Sequence, residues 1–153
     1  DPEINENYVP YVVETSIGLD RMFLAVLSSS FKNEDLGDGK TRAVLSIPPA
    51  LAPYKVAVMP LTKKDGLPEK AREIMNTLKL NHNCAFDEKD SPGKRYRRQD
   101  AIGTPYCVMV DHQTMEDETV TIRDRDTMEQ DRVKISELAN IIDGKVSMTN
   151  LLT

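Results

Sequence analysis

Tyr8 to Val13 alternates aromatic and β-branched residues around Pro10 and predicts a strand. A helix-like run from Ile17 to Leu27 follows, with Ser16 placed to cap it. In that run Met22, Phe23, Leu24, Val26 and Leu27 fall on more than one face, so the helix needs burial on nearly all sides, more than one small domain supplies. Ser28 to Lys40 gathers three serines with Asn33, Gly37, Asp38 and Gly39 and reads as turn and linker. Thr41 to Ile47 is a short strand, after which Pro48, Pro49 and Pro53 hold the chain extended.

From Tyr54 the pattern becomes regular. Lys55 to Leu61 is a nearly continuous apolar strand of the kind covered on both faces. Pro68 suits the first turn of a helix in which Ala71, Ile74, Met75 and Leu78 form one apolar stripe, ending near Asn81. Cys84 to Phe86 is a short strand and Tyr96 to Ile102 a more polar helix. Pro105 to Asp111 is a strong strand, and Thr119 to Arg125 a strand with period-two alternation. Ser136 is placed to cap a last helix carrying Leu138, Ala139, Ile141 and Ile142, with Gly144 at its stop. The order predicts an α/β fold, a mixed β-sheet flanked by helices and preceded by a separate strand and helix. The expected division is a tail of another domain over 1–29, a linker over 30–53 and the main domain over 54–153.

At 153 residues the chain suits one domain with an appended piece. Its 29% charged and 39% hydrophobic residues exclude a disordered or collagen-like chain. The longest apolar stretch, Met22 to Leu27, is far below the roughly 18 residues that span a bilayer, so a membrane role has no support. Cys84 and Cys107, with only His82 and His112, match neither a disulfide framework nor a zinc site and read as reduced thiols of a cytoplasmic protein. The net charge of −5 argues against binding nucleic acid merely by being basic. The charge is uneven, however: Lys94, Arg95, Arg97 and Arg98 crowd into GKRYRR, while Glu116 to Asp131 holds seven acids against Arg123 and Arg125.

No nucleophile elbow, phosphate loop or metal-ligand spacing appears in these residues. What stands out is ETSIGLDR, Glu14 to Arg21, set between a strand and an apolar helix. It resembles motif 3 of the class II aminoacyl-tRNA synthetases, and the wider YVPYVVETSIGLDRMFLAVL resembles the glycyl-tRNA synthetase family. The likeness continues through AVLSIPPALAPYKVAVMPL, GKRYRRQDAIGTPYCVMVD and TVTIRDRDTMEQDRVKISEL, which resemble that family's carboxy-terminal anticodon-binding domain. The resemblance implies that 1–29 ends a catalytic domain and that 54–153 binds the anticodon loop of tRNA(Gly). It further implies that Arg21 packs on the ATP adenine and that Glu14 and Ser16 hold the glycine ammonium group.

Each assignment has a plainer alternative: Arg21 paired with Asp20, and Glu14 and Ser16 capping the helix. For the whole enzyme the resemblance implies a cytoplasmic homodimer that makes glycyl-tRNA from glycine, ATP and tRNA through glycyl-adenylate, with Mg2+. Motifs 1 and 2 do not lie in these residues, so the chain alone is expected to be inactive and to hold no cofactor. A non-catalytic accessory or nucleic-acid-binding protein reusing the anticodon-binding fold is one competing reading, and a plain interaction domain with an acidic surface is another.

The strand TVTIRDRDT allows a further expectation. Thr119, Thr121, Arg123 and Arg125 share one face, and Val120, Ile122, Asp124 and Asp126 the other, which is expected to turn inward. Glycine anticodons end in two cytosines. A guanidinium can donate to O2 and N3 of cytosine while a carboxylate accepts from its amine. Arg123 or Arg125, with an acid from Asp124, Asp126 or Glu129, is therefore expected to read at least one cytosine; cross-strand ion pairing at exposed sites is the alternative. Tyr96 in GKRYRR is expected to stack on a base while Lys94, Arg95, Arg97 and Arg98 meet phosphates, against the alternative of a solvated helix face with the tyrosine covering the core.

Overall fold

The structure is a computed structural model that describes residues 3–152. Among them no helix is long and apolar enough to cross a membrane. A first helix, α1 (Leu19–Ser30), runs directly into an antiparallel hairpin of β1 (Phe31–Asp35) and β2 (Thr41–Leu45). The main sheet then forms from β3 (Val56–Pro60), β4 (Cys84–Phe86), β5 (Tyr106–Val110), β6 (Thr119–Asp124) and β7 (Gln130–Lys134) in the order β4-β3-β5-β6-β7. Strands β4, β3 and β5 are parallel, while β6 and β7 are antiparallel additions. Helices α2 (Leu67–Leu78), α3 (Pro92–Ile102), α4 (His112–Asp117), α5 (Ile135–Val146) and α6 (Thr149–Leu152) complete the chain. The sheet is mixed and flanked by helices, as the hydropathy pattern predicts.

Topology explains which helix covers which face. The β3–α2–β4 crossover moves one way along the sheet, and the β4–α3–β5 crossover passes back over β3, so with one handedness α2 and α3 lie on opposite faces. Alternate residues of β3 follow suit. Val56 and Val58 join a large apolar core with the stripe Ala71, Ile74, Met75 and Leu78 of α2 and with Leu138, Ile142 and Val146 of α5. Ala57 and Met59 face the other way into a small cluster with Cys107, Met109 and Tyr96.

The second face is closed mainly by polar groups. The buried residues of α3 are Arg95, Gln99 and Asp100, and the hairpin's β2 lies against that helix. Gly103 ends α3 at φ +86°, and a Cβ there would come within 3.0 Å of Ile47 Cγ2 and 3.2 Å of the Leu45 carbonyl oxygen. Only glycine allows both the left-handed turn and this approach of the hairpin.

Several expectations are corrected. Residues 8–13 form no strand, because no strand of the described chain pairs with them. Helix α1 begins at Leu19 with Gly18 as N-cap and no side-chain cap bond, so Ser16 does not cap it. The stretch over 28–40 expected as turn and linker contains β1, while β2 falls where a strand was expected, over 41–47. Helix α3 starts four residues earlier than predicted, at Pro92. Ser136 and Gly144 lie inside α5, whose N-cap is Lys134 and whose end is Val146.

Helices α4 and α6 and strands β1 and β7 went unpredicted. Helix α4 is set by a local capping box in which Asp111 accepts from the Thr114 amide and Thr114 Oγ1 from the Asp111 amide. Strand β7 is an edge strand with Val133 as its single apolar residue.

The Asp111 carboxylate also takes Nη2 of Arg132 at 2.9 Å. Its pKa is held below the ordinary value by Arg132 first, and by Thr114, against the opposing effect of burial. A lowered folded-state pKa adds stability that is complete above the unfolded value and lost as pH falls through the folded one. Asp111→Asn, which keeps a capping oxygen, is therefore expected to lower the unfolding free energy by about 1 kcal/mol near pH 7. Urea unfolding should show that deficit closing as pH falls below about 4.

Candidate nucleic-acid interface

The arginines expected to project from β6 are turned inward instead. Arg123 is 6% exposed and gives Asp100 a two-pronged contact, Nη1 to Oδ1 at 2.9 Å and Nη2 to Oδ2 at 3.2 Å, while its guanidinium lies 4.8 Å from the Tyr96 ring centre. Arg42 of the hairpin reaches the same carboxylate, with Nη1 at 3.2 Å from Asp100 Oδ2 and 2.9 Å from the Arg125 carbonyl oxygen, and pairs outward with Glu34. Arg125 is 2% exposed and donates to the carbonyls of Gly103 at 2.9 Å and Ile47 at 3.0 Å. It also holds Asp126 with both Nε and Nη2, and Asp126 in turn accepts from Ser46. The two faces of strand β6 differ: Val120 and Ile122 meet the apolar core, while on the other face Arg123 lies against α3 and the half-buried Thr119 and Thr121 accept from Arg132. The guanidinium groups of Arg123 and Arg125 are thus committed within the fold, which corrects the expectation that they reach outward to a base.

GKRYRR is divided in the same way. Arg95 is 3% exposed and donates to the carbonyls of Lys89, Asp90 and Pro60, tying the loop after β4 to the end of β3. Tyr96 packs into the small cluster beneath Arg123, so its ring does not offer a free stacking face. Arg98 pairs with Asp87 and Asp90, each at 2.9 Å. Lys94 and Arg97 remain exposed with no ion pair among the described residues. Two of the four cations can therefore meet phosphate directly.

At the end of β6 the turn into β7 encloses a cavity of about 230 Å³ lined by Tyr106, Ile122, Asp124, Thr127, Glu129, Asp131 and Lys145. The antiparallel register creates it by setting Tyr106 opposite Asp124 and Ile122 opposite Asp131. Asp124 Oδ1 is occupied by the amides of Asp126 and Thr127, and Met128 takes φ +62° to close the turn. Lys145 from α5 stands over the Tyr106 ring at 5.2 Å. Burial first, and then the charges of Asp124 and Asp126, push the Tyr106 phenol up to about 12, so it stays protonated. Of these lining groups the sequence pattern singles out Asp124 and Glu129 and misses Tyr106, Asp131 and Lys145. The strand register was the missing signal.

Glu14, Ser16 and Arg21 are exposed. Glu14 and Ser16 lie outside any strand, and among the described residues no ion pair joins Arg21 to Asp20. On the same helix Leu19, Met22, Phe23 and Leu24 are half or more exposed. Leu19, Met22 and Phe23 border an apolar groove of about 350 Å³ shared with Leu45, Ile47, Leu51 and Pro53. Cys84 and Cys107 are buried free thiols, and burial raises the pKa of both. Among the described residues no group of three or more His, Cys, Asp or Glu could hold a metal ion.

A parallel three-stranded centre with two antiparallel additions, helices on both faces and a recessed polar cavity at one end make a compact α/β recognition domain. The sequence pattern described as "Anticodon binding domain" matches residues 55–145, more than half of the chain, and the chain belongs to that family. It is 53% identical over 146 residues to the glycine–tRNA ligase of Clostridium beijerinckii (strain ATCC 51743 / NCIMB 8052). It is 51% identical over 146 residues to the glycine–tRNA ligase of Clostridium tetani (strain Massachusetts / E88). In both comparisons the match covers 95% of this chain but 31% of the relative, so the chain spans about a third of the length of these curated relatives.

Two outcomes test this geometry. Asp100→Asn leaves Arg42 and Arg123 buried against a neutral amide and should cost about 3–5 kcal/mol in urea unfolding. Replacing Lys94 and Arg97 together by alanine should flatten the salt dependence of anticodon-arm binding by about 1.4 in log–log slope, about 0.7 per lost phosphate contact. An unchanged slope removes α3 from the interface.

Proposed function

We propose that this chain is the anticodon-reading end of a glycine–tRNA ligase, the enzyme that joins glycine to its tRNA at the expense of ATP through glycyl-adenylate. The observation that carries the reading is the family match over 55–145, on the mixed sheet described above, together with about half identity to proteins bearing that name. The main domain, over 54–153, binds the anticodon arm of tRNA(Gly), and residues 30–53 join it to the catalytic tail over 1–29.

In that tail Arg21 stacks on the adenine of ATP, for which a planar and permanently charged guanidinium is suited. Glu14 and Ser16 hold the glycine ammonium group by charge-assisted hydrogen bonds. Their exposure, and that of the apolar side of α1, is consistent with a surface completed by other parts of a longer protein. Magnesium, when bound, neutralises phosphate charge in the adenylation step, and no group of this chain is assigned to it. The working enzyme is a cytoplasmic homodimer.

The test is binding of labelled anticodon arms by the 153-residue chain, followed by fluorescence anisotropy. An arm ending in two cytosines should bind about tenfold or more tightly than one with two uracils in their place. Equal binding of the two arms would refute the assignment.

A further inference from the structure

Resting on the anticodon reading above, we propose that Ser46 is a positioning residue that couples RNA binding on the main domain to the helix carrying Arg21. The coupling runs through the bond between the Ser46 hydroxyl and Asp126.

Helix α1 is weakly held. Ser30, its last residue, is the only one of the helix that is buried, and no side chain caps its first turn. A helix with so little covered surface opens locally with little free energy, so the contacts at its ends decide how firmly it stays in place. At the carboxy-terminal end the Ser46 amide donates to the Ser30 carbonyl oxygen at 2.7 Å. That carbonyl is one of those a helix leaves without an internal partner.

Ser46 has a second hold on its other side. Its hydroxyl donates to Asp126 Oδ1 at 2.9 Å. Asp126 is fixed in turn by Arg125, through Nε at 2.9 Å and Nη2 at 2.7 Å, and its own amide donates to Asp124 Oδ1 at 2.8 Å. Ser46 therefore touches both the end of α1 and the turn after β6.

Ile47 brings α3 to the same junction. Arg125 donates to the carbonyl oxygens of both Gly103 and Ile47. Gly103 ends α3, and a Cβ there would stand 3.0 Å from Ile47 Cγ2. Helix α3, which carries Lys94 and Arg97, and the turn after β6 thus both reach the end of α1 through Ser46 and Ile47. Arg42 also links the hairpin to the main sheet, but its register partner is Glu34, whereas Ser46 follows Leu45, the partner of Phe31 at the foot of α1.

The two states to be biased are α1 seated on the hairpin and α1 locally open. A ligand shifts their ratio only by binding one of them better. RNA held by α3 or the turn restrains Arg125 and Asp126, and with them the serine hydroxyl; the amide of the same serine then stays on Ser30, which favours the seated helix.

The experiment is hydrogen exchange read by mass spectrometry on the 153-residue chain, free and saturated with an anticodon arm ending in two cytosines. The arm should slow exchange of the amides of residues 22–27 by about fivefold or more. Ser46→Ala, checked for folding by urea unfolding and for arm binding by anisotropy, should reduce that slowing to within about twofold. Ser46→Thr keeps the hydroxyl and should retain it. A purely structural role would speed exchange equally in the free and bound chain and leave their ratio unchanged, so the ratio is the readout. Ser29→Ala removes a hydroxyl bonded to the Val26 carbonyl near the same helix end and should also leave the slowing intact.

If the arm binds the unmodified chain and exchange in α1 does not change, the coupling is refuted while the anticodon reading stands. Full slowing in Ser46→Ala, or its loss in Ser46→Thr as well, overturns the role of the hydroxyl. If the unmodified chain does not bind the arm at all, the anticodon reading fails and the coupling with it.

Discussion

The carboxylate of Asp100, 1% exposed beneath the sheet, is the constraint around which the second face of this domain is organised. An ionised group removed from water needs opposite charge and well-directed donors. Here it takes both prongs of Arg123 and one of Arg42. Those two arginines come from the sheet and from the hairpin, and the acid itself comes from α3. One buried charge therefore joins three elements far apart in sequence, and Arg125 extends the same bolt to Gly103, Ile47 and the turn after β6. The apolar face, by contrast, is ordinary packing of valine, isoleucine and leucine against α2 and α5.

This division explains what could be read from residue order. Strands β3 and β5 announce themselves as continuous apolar runs because both faces are buried, while β6, helix α2 and the body of α5 bury apolar side chains in a two- or near-four-residue rhythm. Strand β7 and α4 carry none: the first is held by backbone pairing to β6, the second by the short-range bonds between Asp111 and Thr114. Residues 8–13 illustrate the reverse case, a pattern of strand character with no partner strand in the described chain. Gly144 marks a helix stop by composition, yet α5 continues to Val146, whose side chain joins the core.

The candidate site was legible in its chemistry and less so in its assignments. Of the acids expected there, Asp124 and Glu129 do line a cavity, but Asp126 is held by Arg125 and Ser46 and the arginines are turned into the fold. Alternation along a strand tells which residues share a face; it does not tell that α3 lies against Arg123 on the second face. A count of basic residues has the same blind spot. In GKRYRR two of four cations are consumed by Pro60, Asp87, Asp90 and nearby carbonyls, so the charge offered to a polyanion is about half of what composition suggests.

The junction between α1 and β1 has a geometric consequence of its own. The helix ends at Ser30 and the strand begins at Phe31, with no residue between them. The bearing of α1 is thereby indexed to the hairpin, and through Arg42 to the rest of the sheet. A single residue gained or lost at that seam would swing the Met22 and Phe23 side of the helix by about 100° and slide it by about 1.5 Å. The seam thus works as a spacer with no slack, in which phase and length are set together.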